Sequence, residues 1–307
     1  MKKLIILAFY WLVFIVVQLS EKQESECSSL NCPIDQYLKS NGYLYEEFLY
    51  KNRRDKRYIV VGKRVTDNTL VAIKTQFNKF PKKTINCSDV AEVNLHRRAL
   101  SLKNISSNII KLVDNFCCKN SESIVTEFRY EYQSLEKVIE QGRVFSENEI
   151  KSIGKKLILI LSQFNAQGLY HLDLKPQNLL ITKNSTNFYL IDFGNSQYKD
   201  PSKKLKINYI HGTPIFSIPE VLHKQIVDAS EADIWGAGII IYYLAEREIP
   251  FKSIAEIKDY SKQVEFRNNS KTSPLGKSFI RKILSKKRKE RLSYNEALDH
   301  SWLKNYL

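Results

Sequence analysis

Eight residues, His171-Leu-Asp-Leu-Lys-Pro-Gln-Asn178, and a triplet that begins fourteen positions after that asparagine, Asp192-Phe-Gly194, constrain this chain more than anything else in it. Ordinary loop polars have no reason to keep this order and spacing. A carboxylate, Asp173, can accept a proton from a hydroxyl, and an ammonium, Lys175, can neutralise a phosphate in transit. The amide of Asn178 and the carboxylate of Asp192 offer oxygens to Mg²⁺, a hard cation that prefers them. Together the four side chains make a compact set for phosphoryl transfer, provided the fold brings two loops to one place.

The remainder of the sequence is that of a globular protein. A length of 307 residues fits one to two domains, and 43% hydrophobic content can fill a core. Net charge is +15, with basic clusters at 51–57, 203–206 and 286–289 that can attract phosphate, acidic peptides, anionic lipid or nucleic acid. No aromatic-interleaved basic motif and no zinc-ligand spacing points to nucleic-acid recognition. The first twenty residues differ from the rest: Lys2-Lys3, an uncharged apolar run from Leu4 to Val17, then polar Glu21. This fits a secretory signal peptide, and without a clean cleavage site an uncleaved membrane anchor stays open beside it. The expected compartment is therefore the secretory pathway, secreted or anchored, with the cytoplasm as the alternative. Asn86, Asn104, Asn184 and Asn268 each begin a glycosylation sequon, a number that composition alone nearly supplies. Cys27, Cys32, Cys87, Cys117 and Cys118 permit at most two bridges, with Cys27 and Cys32 able to pair across a short loop. Cysteine usage does not decide the compartment.

Residues 21–42 read as a polar linker with a turn at Asn31-Cys-Pro33. Short β-type runs follow at Glu47–Tyr50, Tyr58–Val61, Thr69–Lys74, Ile109–Val113 and Ile124–Phe128, with a turn at Asp67-Asn68. A helix capped by Ser88 is expected to run to about Leu102, with Asp89 and Glu92 at its favourable end. After residue 130 the pattern becomes helical: Ser146–Gln167, Ala229–Glu246, Ser278–Leu284 and Tyr294–Leu303.

The two motifs resemble, in this order, the catalytic loop and the metal-binding loop of the eukaryotic protein kinases. Val71-Ala-Ile-Lys74 is similar to the strand whose lysine holds the α and β phosphates, and Glu92 is the candidate carboxylate for Lys74. Ile59 and Ala72 match the roof of an adenine slot and Leu180 its floor; Glu127 and Phe128 resemble the hinge, after a small gatekeeper, Thr126. Lys175 with Thr213 resembles the serine/threonine branch. Gly212–Glu220, with Arg291 as the partner of Glu220, matches the end of the activation segment. Asp233-Ile-Trp-Gly-Ala-Gly238 resembles the anchor of the large helix, where Asp233 braces the catalytic loop, and His300–Leu303 resembles the closing motif. The resemblance covers about residues 43–304 and implies an α+β chain with the two-lobed protein kinase fold: a β-rich N-lobe of about 43–129 and a helical C-lobe of about 130–304. It further implies ATP and Mg as nucleotide and metal, a protein substrate, acidic by the charge of the activation segment, and Asp173 as base.

Three departures qualify the match. Asn52, Arg54 and Arg57 stand where the family has the three glycines of its phosphate loop. Either Arg53, Arg54, Lys56 and Arg57 bind phosphate through side chains, or nucleotide is held weakly. Leu172 stands where many kinases carry an arginine that pairs with a phosphate on the activation segment, which implies activity without that phosphate, although Ser196, Tyr198, Ser202 and Tyr209 are available for modification. His96 occupies a place where the family prefers an apolar residue. Two further readings remain beside an active serine/threonine kinase: a secretory-pathway pseudokinase that binds or scaffolds, and a membrane-tethered structural protein.

Overall fold

The alternating runs after Tyr43 become strands because their period of two puts every second side chain on one buried face. A computed structural model describes residues 33–52, 57–77, 90–118 and 121–304. The chain divides into a first unit, up to residue 90 with 111–129, and a second unit, 91–110 with 130–307.

The first unit is a five-stranded antiparallel sheet in the order β1-β2-β3-β5-β4. Its strands are β1 (Tyr43–Asn52), β2 (Arg57–Arg64), β3 (Leu70–Phe77), β4 (Leu112–Cys118) and β5 (Ser121–Glu127). The β2–β3 turn holds as expected: Arg64 pairs with Asp67 at 2.6 Å, Thr69 N–H donates to Asp67 at 3.1 Å, and Asn68 takes the left-handed conformation. Tyr43, Val60, Val71, Ile73 and Val125 form the buried core on one sheet face. The last two strands lie about three residues from their expected places. Ile109 and Ile110 are buried in the second unit, and a bulge between Leu112 and Asp114 spoils the alternation that located the strand.

The linker reading of residues 21–42 needs correction over its last third. Pro33–Ser40 is a helix, α1, and not a connecting loop. Proline suits a first helical position, and Asp35 and Lys39 complement the helix dipole at its two ends. Ile34 and Leu38, four apart, are buried in the sheet core. Tyr37 packs on Phe77 and Phe116 with ring centroids 5.3 and 5.5 Å away, and its hydroxyl lies 3.2 Å from that of Ser123. Gly42, in the left-handed region, turns the chain from α1 into β1.

Helices dominate the second unit, as expected. α2 (Ala91–Ser101) begins after Val90; Ser88 and Asp89, expected at its start, lie outside the described residues. α3 (Glu147–Ala166) opens with a capping box between Ser146 and Glu149 and buries Ile150, Ile153, Leu157, Leu161 and Phe164 along one stripe. α4 (Ala229–Glu246) is buried almost all round. The expected helix at 278–284 starts earlier, at Pro274, where Ser273 caps it, and the one at 294–303 breaks at His300 into Tyr294–Asp299 and Ser301–Lys304. Among the described residues no helix is long and apolar enough to cross a membrane. The apolar leader, residues 1–20, lies outside the described residues.

Candidate active site

α4 is the post on which the second unit's polar residues hang. Its N-terminus is closed by a reciprocal cap between Asp228 and Glu231. One turn on, the buried Asp233 accepts from two consecutive backbone amides, His171 N–H at Oδ2 and Leu172 N–H at Oδ1, both at 2.8 Å. Burial outweighs these two donors and pushes the Asp233 carboxyl up to about 7. Leu172 is held in the left-handed conformation, a costly one for a branched side chain. Gly236, on the same helix, lets the next loop residue approach: a Cβ there would lie 2.7 Å from that of Leu174.

Asp173, 6% exposed, sits at the centre of a saturated network. Lys175 Nζ donates to Asp173 Oδ2 and to Thr213 Oγ1, each at 2.8 Å. Thr213 donates to Asp173 Oδ1 from its backbone N–H at 3.0 Å and from its hydroxyl at 3.1 Å. Asn195 Nδ2 reaches Asp173 Oδ2 at 3.3 Å, the longest of these bonds. Gly212 is required beside them, since a Cβ would fall 2.4 Å from Asp173 Oδ1. Asn178 Nδ2 donates to the Asp173 carbonyl at 2.8 Å, which fixes the amide and leaves its oxygen as the acceptor. The sequence brought Asp173, Lys175 and Thr213 together; Asn195 and Gly212 were not read as part of this group, because only a long-range contact reveals them.

The metal loop is stitched to this loop by its backbone. Ile191 N–H donates to the Asn178 carbonyl at 3.0 Å, and the Ile191 carbonyl accepts from His171 Nε2 at 3.1 Å. Ser196 Oγ donates to the His171 carbonyl at 3.2 Å. Asp192 therefore follows directly on a residue bonded to the catalytic loop, and is itself in the left-handed conformation, with Gly194 N–H 3.3 Å from its Oδ1. An amide oxygen and a carboxylate on neighbouring, mutually bonded loops suit a hard divalent cation whose other ligands come from phosphate and water. The residues fit that group. The pairing of Glu220 with Arg291 is present and buried, at 2.6 Å, with Arg291 Nε also donating to the Ser285 carbonyl at 2.9 Å.

The expected nucleotide residues are distributed as follows. In the first unit, Lys74 pairs across the sheet with Ile59 and Ile124, and Ala72 with Val61 and Thr126. Ile59, Ala72, Lys74 and Thr126 thus share one sheet face, opposite the buried core residues Val71 and Ile73. Glu127 ends β5 and Phe128 follows it. In the second unit, Glu92 lies in the first turn of α2, and Leu180 on a short strand against Ser134 and Tyr189. Asn52 pairs with Arg57 at the end of the β1–β2 hairpin, and Arg57 Nε donates to Gln76 at 3.0 Å. Arg53, Arg54 and Lys56 lie outside the described residues.

Residues 58–303 match the model of the family described as the protein kinase domain. The chain is similar to a titin homolog of Caenorhabditis elegans, 29% identical over 269 residues that make up 85% of this chain and 1% of that protein. It is similar to CDPK-related kinase 3 of Arabidopsis thaliana, 31% identical over 226 residues, 70% of this chain and 37% of that protein. Myosin light chain kinase family member 4 of Homo sapiens is 30% identical over 207 residues, 65% of this chain and 53% of that protein. The chain thus spans between a hundredth and about half of the length of these relatives.

His171 generates a pH dependence. It is fully buried, its Nε2–H donates to the Ile191 carbonyl, and its Nδ1 accepts from Asp173 N–H at 3.3 Å, so a second ring proton would face a donor. Burial holds its pKa below the ordinary 6.5. Below pH 6.5 the unfolded imidazole takes a proton that the folded one refuses, so stability is lost as pH falls, by up to ~1.4 kcal/mol per pH unit. In urea titrations the stability gap between wild type and His171→Asn is expected to narrow from pH 7 to pH 5; a constant gap contradicts this account.

Proposed function

Because the chain belongs to the protein kinase family, we propose that it is a serine/threonine protein kinase that transfers the γ-phosphoryl group of ATP to a protein hydroxyl. The observation that carries the reading is the Lys175–Asp173–Thr213 triangle, with its three bonds of 2.8–3.1 Å, bonded through the Asp173 carbonyl to Asn178. Asp173 takes the hydroxyl proton as the acceptor oxygen bonds to the γ-phosphorus and the bond to the β-phosphate oxygen breaks. Asn195, the longest contact to Asp173, is the partner that an incoming hydroxyl displaces at lowest cost. Lys175 Nζ offsets charge at the transferring group. Magnesium, when bound, neutralises the nucleotide's phosphates, and Asn178 and Asp192 are the residues that hold it. Nucleotide contacts are assigned to Lys74, Glu92, Ile59, Ala72, Thr126, Glu127, Phe128 and Leu180.

Leu172 is buried and apolar, so it offers no cation to a phosphate on the activation segment. The segment's order has other support: the bonds of Thr213, and Arg98 seated 3.7 Å over the ring of Tyr198. Activity is therefore assigned to the unphosphorylated segment. Exposed Lys199, Lys203, Lys204 and Lys206 flank it, and Asp228 is the acid near two of them, each at 3.5 Å. That surplus of positive charge favours acidic peptide substrates.

The second reading, a pseudokinase that binds without useful turnover, is favoured by Asn52, Arg54 and Arg57 standing where the family has its three glycines. Transfer assays separate the two. Asp173→Asn is expected to lower kcat by about 10²–10⁴-fold with ATP binding kept within twofold; wild-type turnover in the variant removes Asp173 as base.

We assign the protein to the secretory pathway. Support comes from the apolar leader, from Cys117, which is disulfide-bonded at the end of β4, and from the exposed turn positions of Asn104, Asn184 and Asn268. Cys27, Cys32 and Asn86 lie outside the described residues. Full-length protein made in eukaryotic cells is expected to shift in mobility on treatment with an N-glycan endoglycosidase, and an unchanged mobility counts against the assignment.

A further inference from the structure

One face of the β-sheet carries a cation that the sheet does not neutralise. Arg57 opens β2 opposite Gln76 of β3, and Ile59 lies opposite Lys74. With a period of two, Arg57, Ile59, Lys74 and Gln76 stand on the same face, away from the core formed by Val60, Val71 and Ile73. Lys74 is the diagonal neighbour of Arg57, about 7–8 Å away across the ladder, a span that two long side chains can close.

The exposed Arg57 side chain is held at one nitrogen only. Its Nε donates to Gln76 Oε1 at 3.0 Å. Gln76 Nε2 donates to the Phe77 carbonyl at 3.3 Å, which turns the amide oxygen toward the guanidinium. Among the described residues no carboxylate pairs with Arg57; Glu122, beyond Gln76 on β5, is not bonded to it. A neutral acceptor at Nε leaves the full charge in place and presents the two Nη groups as a planar fork. That fork matches one phosphate group through two parallel N–H donors.

The order of residues along the face says which phosphate. Ala72 is assigned to the base and Lys74, two residues on, to the α and β phosphates. Gln76 and its partner Arg57 come two residues later again, a step of about 6.6–6.8 Å along the strand. Arg57 therefore stands beyond the β-phosphate, and an anion between it and Lys74 relieves the repulsion of two neighbouring cations.

We propose that Arg57 binds the terminal phosphate of ATP through its Nη fork, with Gln76 as the residue that positions it. This clasp supplies through a side chain the contact that a glycine-rich loop makes through its backbone. It rests on the reading of Lys74 as the ligand of the α and β phosphates, and it makes the site prefer a nucleoside triphosphate to the diphosphate.

The test is calorimetric titration of the full chain with ATP and with ADP in Mg²⁺, for wild type, Arg57→Gln, Arg57→Lys and Gln76→Leu. Arg57→Gln is expected to lower ATP affinity about tenfold or more while ADP affinity stays within about twofold. Gln76→Leu is expected to lower ATP affinity alone, about threefold. Arg57→Lys, which keeps the charge and loses the fork, is expected to remain at least about threefold below wild type for ATP. Unchanged ATP affinity in Arg57→Gln overturns the proposal, and so does an equal loss for ATP and ADP, since that is damage to the strand. Full ATP affinity in Arg57→Lys overturns the fork. Peptide phosphorylation measured alongside keeps the two readings apart. If wild type binds nucleotide in this pattern but phosphorylates nothing, the kinase reading fails and the clasp stands. If wild type transfers phosphate while Arg57→Gln binds ATP as tightly, the clasp fails and the kinase reading stands. A wild type that binds neither nucleotide overturns both.

Discussion

Two hydrogen bonds from consecutive backbone amides to one buried carboxylate, Asp233, decide the shape of everything that follows them. Leaving either buried amide without its acceptor would cost about 1–3 kcal/mol, whereas a left-handed leucine costs about 1–3 kcal/mol. The grip therefore wins over the strain at Leu172, and the loop passes α4 with Asp173 turned toward Lys175 and Thr213. The grip is firm because α4 is buried on nearly every side, with a capped start and with glycine at 236 where Leu174 lies against it. A helix less deeply packed would move with its loop, and Asp173 would move too.

From that fixed loop the second one is hung by backbone. Asn178 and His171 hold Ile191 by its N–H and its carbonyl, and Ser196 returns to His171 after the turn. The carboxylate and amide oxygens that suit a divalent ion are set by these main-chain bonds and not by one another.

Much of this was legible in the sequence, for a physical reason. His171, Asp173, Lys175, Asn178 and Asp192 are chemically specialised and occur in one short order, so the loops announce themselves. Ala229–Glu246 was legible to the residue, since a long apolar stretch from Ile234 to Ala245 follows Asp233. What stayed hidden was long-range or disguised. Gly212 and Asn195 matter only because the fold carries them to Asp173. α1 was disguised by Asn31-Cys-Pro33, which reads as a turn, although Ile34, Tyr37 and Leu38 already had helical spacing. The strand at Leu112–Cys118 was misplaced because, of the apolar pair Ile109-Ile110 before it, both are buried in the second unit and Ile109 joins its core. His96 was visible as an oddity; its partner, the Ile110 carbonyl, was not.

The central claim is that Asn178 and Asp192, presented by loops that Asp233 and Ile191 fix in advance, hold a divalent ion that couples to nucleotide. Calorimetric titration of the full chain with ATP, in Mg²⁺ and in chelator, tests it most directly. The account predicts affinity at least about tenfold higher in Mg²⁺ for wild type, with that difference lost in Asp192→Asn. Equal affinities with and without Mg²⁺ in the wild-type protein would contradict it.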